Sequence, residues 1–161
     1  YVWQEADMKE TLSRMSRYSM YALEEEMRNG FFTIQGGHRI GIAGRTVCEQ
    51  GKVLSFRNIS CLNIRVARQK KGCAAKLLPW LADGDSIYNT LLLSPPGVGK
   101  TTMLRDCIRL LSEGNGTLPG RKVGVVDERS EIAASFFGVP QNDLGDRTDV
   151  LDNCPKAEGM R

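Results

Sequence analysis

The sequence predicts an α/β protein in two parts, a small α+β domain with an antiparallel sheet over residues 1–78 and a unit of helices and parallel strands over 79–161. Three observations predict it. Helical spacing of apolar residues gives way near Phe31 to a period of two that runs to Val66. A short apolar run, Asn89-Thr90-Leu91-Leu92-Leu93, leads straight into a glycine-rich loop and then a helical pattern. A second apolar run, Val123-Gly124-Val125-Val126, ends in Asp127-Glu128.

The bulk numbers exclude several classes. At 161 residues with 41% hydrophobic and 25% charged content, the chain is an ordinary globular sequence rather than a disordered one. The net charge of +3, from 22 basic and 19 acidic residues, is too balanced to imply a polyanionic partner. Cys48, Cys61, Cys73, Cys107 and Cys154 are scattered without a C-x-x-C pair, which argues against a zinc site or a disulfide framework and fits a reducing compartment. With no apolar run of membrane-spanning length, the cytoplasm is the expected location. The chain opens on Tyr1 and stops at Arg161 without a terminating pattern, so a fragment truncated at both ends is expected.

In the first part, Asp7 can cap a helix whose residues Met8, Leu12 and Met15 share one face. Met20, Leu23 and Met27 repeat that spacing around Glu24-Glu25-Glu26, expected to be a solvated face, and Asn29-Gly30 ends the segment. Phe31 to Gln35, a Gly36-Gly37 turn and Arg39 to Val47 read as a hairpin, followed by a strand from Val53 to Phe56. Leu62, Ile64 and Val66 alternate with Asn63, Arg65 and Ala67 in a further strand with one apolar face. Lys76 to Ala82 reads as a short helix broken by Pro79, and Asp83-Gly84-Asp85 as a hinge.

The loop of the second part, Ser94-Pro95-Pro96-Gly97-Val98-Gly99-Lys100-Thr101-Thr102, has the composition of a P-loop. Gly97 and Gly99 let backbone N–H groups converge on phosphates with no β-carbon in the way, and the following helix N-terminus adds partial positive charge. Lys100 is placed to reach the outer phosphates of ATP, and the Thr101 hydroxyl to ligate Mg²⁺. Ser94 stands where the pattern has its first glycine, and Pro95 and Pro96 donate no hydrogen bond, so the later amides must do the cradling. Met103, Leu104, Cys107, Ile108, Leu110 and Leu111 give the helix a wide apolar face that ends at Glu113-Gly114.

Carboxylates at the end of a parallel strand lie where open α/β sheets bind ligands. Asp127 or Glu128 could therefore orient water or hold Mg²⁺, and the run is either the Mg²⁺-linked Walker B strand or an earlier strand bearing the base. A P-loop sheet needs about five strands to cover its faces and edges. Two are legible here, so the sheet is expected to be incomplete.

Several of these segments, taken together, resemble the family of stage III sporulation protein AA. They are Gly36-Gly37-His38-Arg39-Ile40-Gly41, Asn63 to Arg68, Ser94-Pro95-Pro96 with its Gly-Lys-Thr-Thr, Val123 to Glu131, and Arg147 to Asp152 through Cys154 to Met160. That family is similar to the RecA-like, hexamer-forming secretion ATPases. The resemblance implies a RecA-like α/β fold, ATP and Mg²⁺ as ligands, a homo-hexamer, and work in the mother-cell cytoplasm beside a membrane-embedded sporulation channel. It makes Ser94 a family trait, Glu128 the general base and Asp127 its supporting group. It also implies that the Walker B strand lies beyond Arg161 and that Arg39, Arg45, Arg65 or Arg68 could reach a neighbour's nucleotide.

Other residues carry weaker expectations. His38, the single histidine, reads as a turn-flanking polar residue, Arg147 and Asp149 as a solvated loop or an intersubunit contact, and Trp3 and Trp80 as core or interface. The competing function is a nucleic-acid-stimulated ATPase, for which Gln69-Lys70-Lys71 offers some basic surface but no accompanying aromatics, so nucleic acid is not the expected partner. A small-molecule kinase would need an arginine-rich lid after the P-loop helix, and Gly114 to Gly120 has none.

Overall fold

A computed structural model describes residues 3–17, 23–84, 86–116 and 118–161. The chain divides into two compact units, Tyr1–Ala67 and Arg68–Arg161. The division falls ahead of the boundary expected at residue 78 because the turns after Gly72 are bonded to the second unit: the Ala74 N–H donates to Asp106, 2.9 Å away.

The first unit runs α1 (Glu5–Met15), α2 (Glu24–Arg28), β1 (Phe31–Ile34), β2 (His38–Glu49) and β3 (Lys52–Arg65). Asp7 does serve the start of α1, but from inside the helix, its carboxylate accepting the Gln4 N–H at 2.8 Å. The helix consequently begins ahead of the predicted cap. The three strands form one antiparallel sheet in the order β1-β2-β3. Leu12, Leu23, Met27, Phe32, Ile40 and Ile42 make its core, with Met8, Met15, Phe56 and Ile59 packed around them. The Met20 predicted for this face lies outside the described residues.

Where two strands were expected after Gly51, the structure has one long β3. Register shifts at Ala43/Gly44, Arg45/Thr46 and Val47/Cys48 leave Ser60, Arg57 and Leu54 as extra residues on β3. Each bulge interrupts the alternation that a sequence reading relies on. At Gly44 the backbones come so close that a β-carbon would meet the Asn58 carbonyl oxygen at 1.9 Å. The predicted apolar face of β3 holds only at Leu62, since Ile64 and Val66 are exposed. Glu26 of the acidic triplet is not merely solvated, because its carboxylate accepts the Thr33 N–H at 2.8 Å and ties α2 to β1.

The second unit contains α3 (Leu78–Leu81), the short strands β4 (Ala82–Asp83) and β5 (Ser86–Ile87), α4 (Lys100–Glu113), β6 (Val123–Asp127), β7 (Thr148–Asp152) and α5 (Lys156–Gly159). Pro79 sits in the first turn of α3, where a missing N–H costs nothing, so it does not break the helix. The expected hinge is an antiparallel ribbon pairing Ala82 with Ile87 and Asp83 with Ser86. Asp85 lies outside the described residues. α4 packs on two sides. Ile108 meets Val125, Ala133 and Leu144, while Cys107 meets Ala74 and Leu81.

The parallel pair differs from the expected one. β6 forms as predicted, but its partner is β7, in register from Val123 beside Thr148 to Asp127 beside Asp152. The apolar run 89–93 has no ladder partner among the described residues, and Leu91 and Leu93 are 78% and 82% exposed. A strand exists through its inter-strand hydrogen bonds, so apolar composition alone does not produce one. Arg147, expected on a solvated loop or between subunits, is bonded within its own unit. Its N–H donates to Ser112 Oγ at 2.9 Å and its guanidinium to the Ser112 carbonyl at 3.1 Å, which fixes the start of β7 against the end of α4. Trp3 and Trp80, expected in a core or interface, are both exposed.

Candidate functional site

Construction of the site begins at the glycine-rich segment. Gly97 and Gly99 adopt φ of +81° and +96°, a left-handed conformation that a side chain strains. Gly99 is the N-cap of α4, so the amides of Lys100, Thr101 and Thr102 precede the first intrahelical bond, from the Met103 N–H to the Gly99 carbonyl at 2.9 Å. Such first-turn amides have no acceptor inside the helix and point outward with its positive dipole end. No acidic residue occupies that turn. The whole loop from Ser94 to Gly99 is exposed, including Pro95, Pro96 and Val98.

Lys100 folds back over this loop. Its ammonium donates to the carbonyl oxygens of Ser94 at 2.9 Å and Pro95 at 3.0 Å. Ser94, in turn, directs its hydroxyl to the Pro95 carbonyl at 3.2 Å rather than outward. The lysine thus gathers two of the loop's carbonyls.

The second component is the end of β6. Asp127 is buried, and its carboxylate accepts three backbone N–H groups, from Glu131 at 3.0 Å, Ile132 at 2.8 Å and Ala133 at 2.9 Å. Those bonds wrap the loop 128–133 around the strand end and, with the burial of Asp127, engage most of its acceptor capacity inside the fold. Its part is to hold the loop. The side chain of the next residue, Glu128, is instead exposed, and its carboxylate lies 3.4 Å from the Lys156 ammonium.

Arg105 connects the two components. From α4 its guanidinium donates to the Glu131 carbonyl at 2.7 Å and the Ile132 carbonyl at 2.9 Å. Burial lowers the pKa of this guanidinium, with the Asp127 carboxylate opposing the shift. Thr101 and Arg105 are four residues apart and share one face of α4. The face carrying the Thr101 hydroxyl is therefore the face bonded to the loop that carries Glu128. Arg105 was not anticipated from sequence, because nothing in its spacing distinguishes it from a solvated helix arginine.

The α4 helix is itself pinned from behind. Asp106, 1% exposed, accepts the Ala74 N–H and two bonds from Arg109 at 3.0 and 2.7 Å, and Arg109 also reaches Glu113 at 2.6 Å. Of these bonds the one from Ala74 ties the helix to the turns before α3, and Arg109, from α4 itself, steadies the carboxylate that makes it.

The remaining sequence candidates lie elsewhere. His38 accepts the Ala67 N–H on its Nδ1 at 3.1 Å and closes the end of the first unit's sheet. Arg39 stacks its guanidinium 3.5 Å from the centre of the Phe31 ring, and opposite it in register stands Arg65. Arg45, Arg65 and Arg68 are exposed. Among the described residues no cluster of three or more His, Cys, Asp or Glu could hold a metal ion, and no helix is long and apolar enough to cross a membrane.

Comparison with known proteins supplies the relationship. The model of the family "Sporulation stage III, protein AA" matches residues 1–161. Stage III sporulation protein AA of Bacillus subtilis (strain 168) is 56% identical over 149 residues, which cover 92% of this chain and 48% of that protein. The uncharacterized protein ycf45 of Porphyra purpurea is 38% identical over 86 residues, 51% of this chain and 14% of that protein. The chain therefore spans about half the length of the Bacillus relative and less of the other. No solved structure matches significantly. On a family match along its whole length and on that identity, the chain belongs to the sporulation stage III protein AA family.

Proposed function

We propose that this chain forms the nucleotide-binding part of an ATP-hydrolysing motor that serves sporulation. The observation that carries the reading is the pairing of a glycine-rich helix N-terminus, Gly97 to Thr102, with an exposed carboxylate, Glu128, through the Arg105 bonds. The outward amides and the Lys100 ammonium supply positive charge for the β- and γ-phosphates of ATP. Ser94, Pro95, Pro96 and Val98 complete the loop, the prolines stiffening its entry. Lys100 exchanges its two carbonyl partners for phosphate oxygens when nucleotide binds.

A water then attacks the γ-phosphorus: the new bond is water oxygen to phosphorus, the bond that breaks joins that phosphorus to the bridging oxygen, and ADP leaves. Glu128 takes the proton of the water, while Asp127 keeps the Glu128 loop in place. The donor set fits a nucleotide-borne Mg²⁺. Such an ion keeps several waters and takes phosphate oxygens with only one or two protein ligands, here the Thr101 hydroxyl. When bound it supplies neutralisation of the phosphate charge. The resemblance to RecA-like secretion ATPases read from the sequence supports a ring of identical subunits in the mother-cell cytoplasm, working on a membrane-embedded channel.

The test uses the full-length protein carrying this chain. Lys100→Ala and Glu128→Gln should each reduce ATP turnover by about a hundredfold or more, with folding unchanged by circular dichroism. Retained turnover in both would refute the assignment.

A further inference from the structure

We propose that Lys156 is the positioning residue for Glu128, holding its carboxylate at the end of β6 in the direction that the attacking water requires. The inference deepens the proposed hydrolysis and rests on it. It begins with the strand ends. β6 and β7 finish level, Asp127 beside Asp152, and the Asn153 N–H extends the pairing by donating to the Asp127 carbonyl at 2.9 Å. The chain then turns through Cys154-Pro155 into α5, where Gly159 and Met160 donate to the carbonyls of Pro155 at 3.0 Å and Lys156 at 3.1 Å. α5 lies directly on β6, because a β-carbon at Gly159 would sit 2.6 Å from Val126 Cγ1. The backbone at 156 is thereby fixed beside the backbone at 128, and the two side chains meet at 3.4 Å.

An ion pair between two exposed side chains contributes little to stability, and 68% exposure of Lys156 against 41% for Glu128 makes this one weak as a structural bond. Its value lies in direction. Of the carboxylates at this strand end, Asp127 is committed to three backbone amides and Asp152 beside it has Oδ1 buried, so Glu128 is the exposed one that a reactant can approach. A free glutamate samples many rotamers, and a reacting group must lie within a fraction of an ångström of its productive place. An ammonium held by α5 confines the carboxylate without occupying both of its oxygens. Arginine at 156 can do the same through its guanidinium, whereas methionine keeps the length of the side chain and loses the charge.

The experiment measures kcat and KM for MgATP in the full-length protein for Lys156→Met, Lys156→Arg, Glu128→Gln and the double variant Lys156→Met/Glu128→Gln. Lys156→Met should lower kcat by about three- to fivefold with KM changed less than about 1.5-fold, and Lys156→Arg should recover most of the loss. In the Glu128→Gln background, Lys156→Met should have no further effect. Normal turnover in Lys156→Met beside an inactive Glu128→Gln overturns the positioning role alone. An equal fall of the arginine variant, or a full additional loss in the double variant, also overturns it. An active Glu128→Gln variant removes the underlying assignment instead.

Discussion

Removal of the Asp106 carboxylate should cost the second unit about 3 kcal/mol of stability, a figure that follows from its bonds. In Asp106→Ala the Ala74 N–H, on a residue 0% exposed, loses its acceptor at 2.9 Å. A buried orphan of that kind costs about 1–3 kcal/mol. Arg109 loses two bonds but keeps Glu113 at 2.6 Å, so the cost falls at the low end of the about 3–5 kcal/mol for breaking a buried pair. Asp106→Asn keeps an acceptor for Ala74 and should lose about half as much. Urea denaturation followed by circular dichroism measures both. The pH dependence is a second reading. Burial pushes the Asp106 carboxyl up, but the Ala74 amide, the Arg109 guanidinium and the Gly72 amide outweigh it, and the pKa ends below the ordinary 3.8. A group with a lowered folded pKa contributes its full stability above the unfolded value and loses it as pH falls through the folded one. The advantage of the natural protein over Asp106→Asn should thus be complete at neutral pH and shrink below pH 3.8. A loss under about 0.5 kcal/mol in Asp106→Ala, or a gap that widens toward acid, would refute the reasoning.

Further outcomes follow from other parts of the molecule. Gly44→Ala drives a β-carbon against the Asn58 carbonyl and should destabilise the first unit by about 2–3 kcal/mol, visible as faster amide exchange along β2 and β3. Burial, with the Asp106 carboxylate adding to it, pushes the Cys107 thiol up to about 11. Because the thiolate is the nucleophile, iodoacetamide at pH 8 should label the exposed Cys48 and Cys61 at least about tenfold faster than Cys107, as read by peptide mass spectrometry. Arg105→Met removes the bonds to the 131 and 132 carbonyls and should raise amide exchange across 128–134 and lower ATP turnover, while leaving the first unit's exchange unchanged.

Much of the fold was legible in residue pattern, and the exceptions have physical causes. The hairpin of β1 and β2 follows from alternation around Gly36-Gly37, and α4 from its apolar face and the Gly114 stop. The single long β3 was hidden because its bulges at Leu54, Arg57 and Ser60 break the period of two. β7 was hidden because Asp149 and Asp152 depress strand character, although Thr148, Val150 and Asp152 turn inward while Asp149 and Leu151 turn out. The run 89–93 read as a strand from composition, yet pairing is a property of neighbours that one segment cannot encode.

The site divides in the same way. The roles proposed for Lys100, Thr101 and the glycines were read from local spacing, and that of Glu128 from its place at a strand end. The commitment of Asp127 to three amides, the bridging by Arg105 and the approach of Lys156 are tertiary facts with no local pattern.

The most direct test of the central claim is a calorimetric titration of MgATP into the full-length protein and its Lys100→Ala variant. The natural protein should bind, and loss of the ammonium that closes on Ser94 and Pro95 should weaken affinity by at least about tenfold in a folded variant. No binding by the natural protein, or equal affinity in the two, would contradict a phosphate-binding role for the loop.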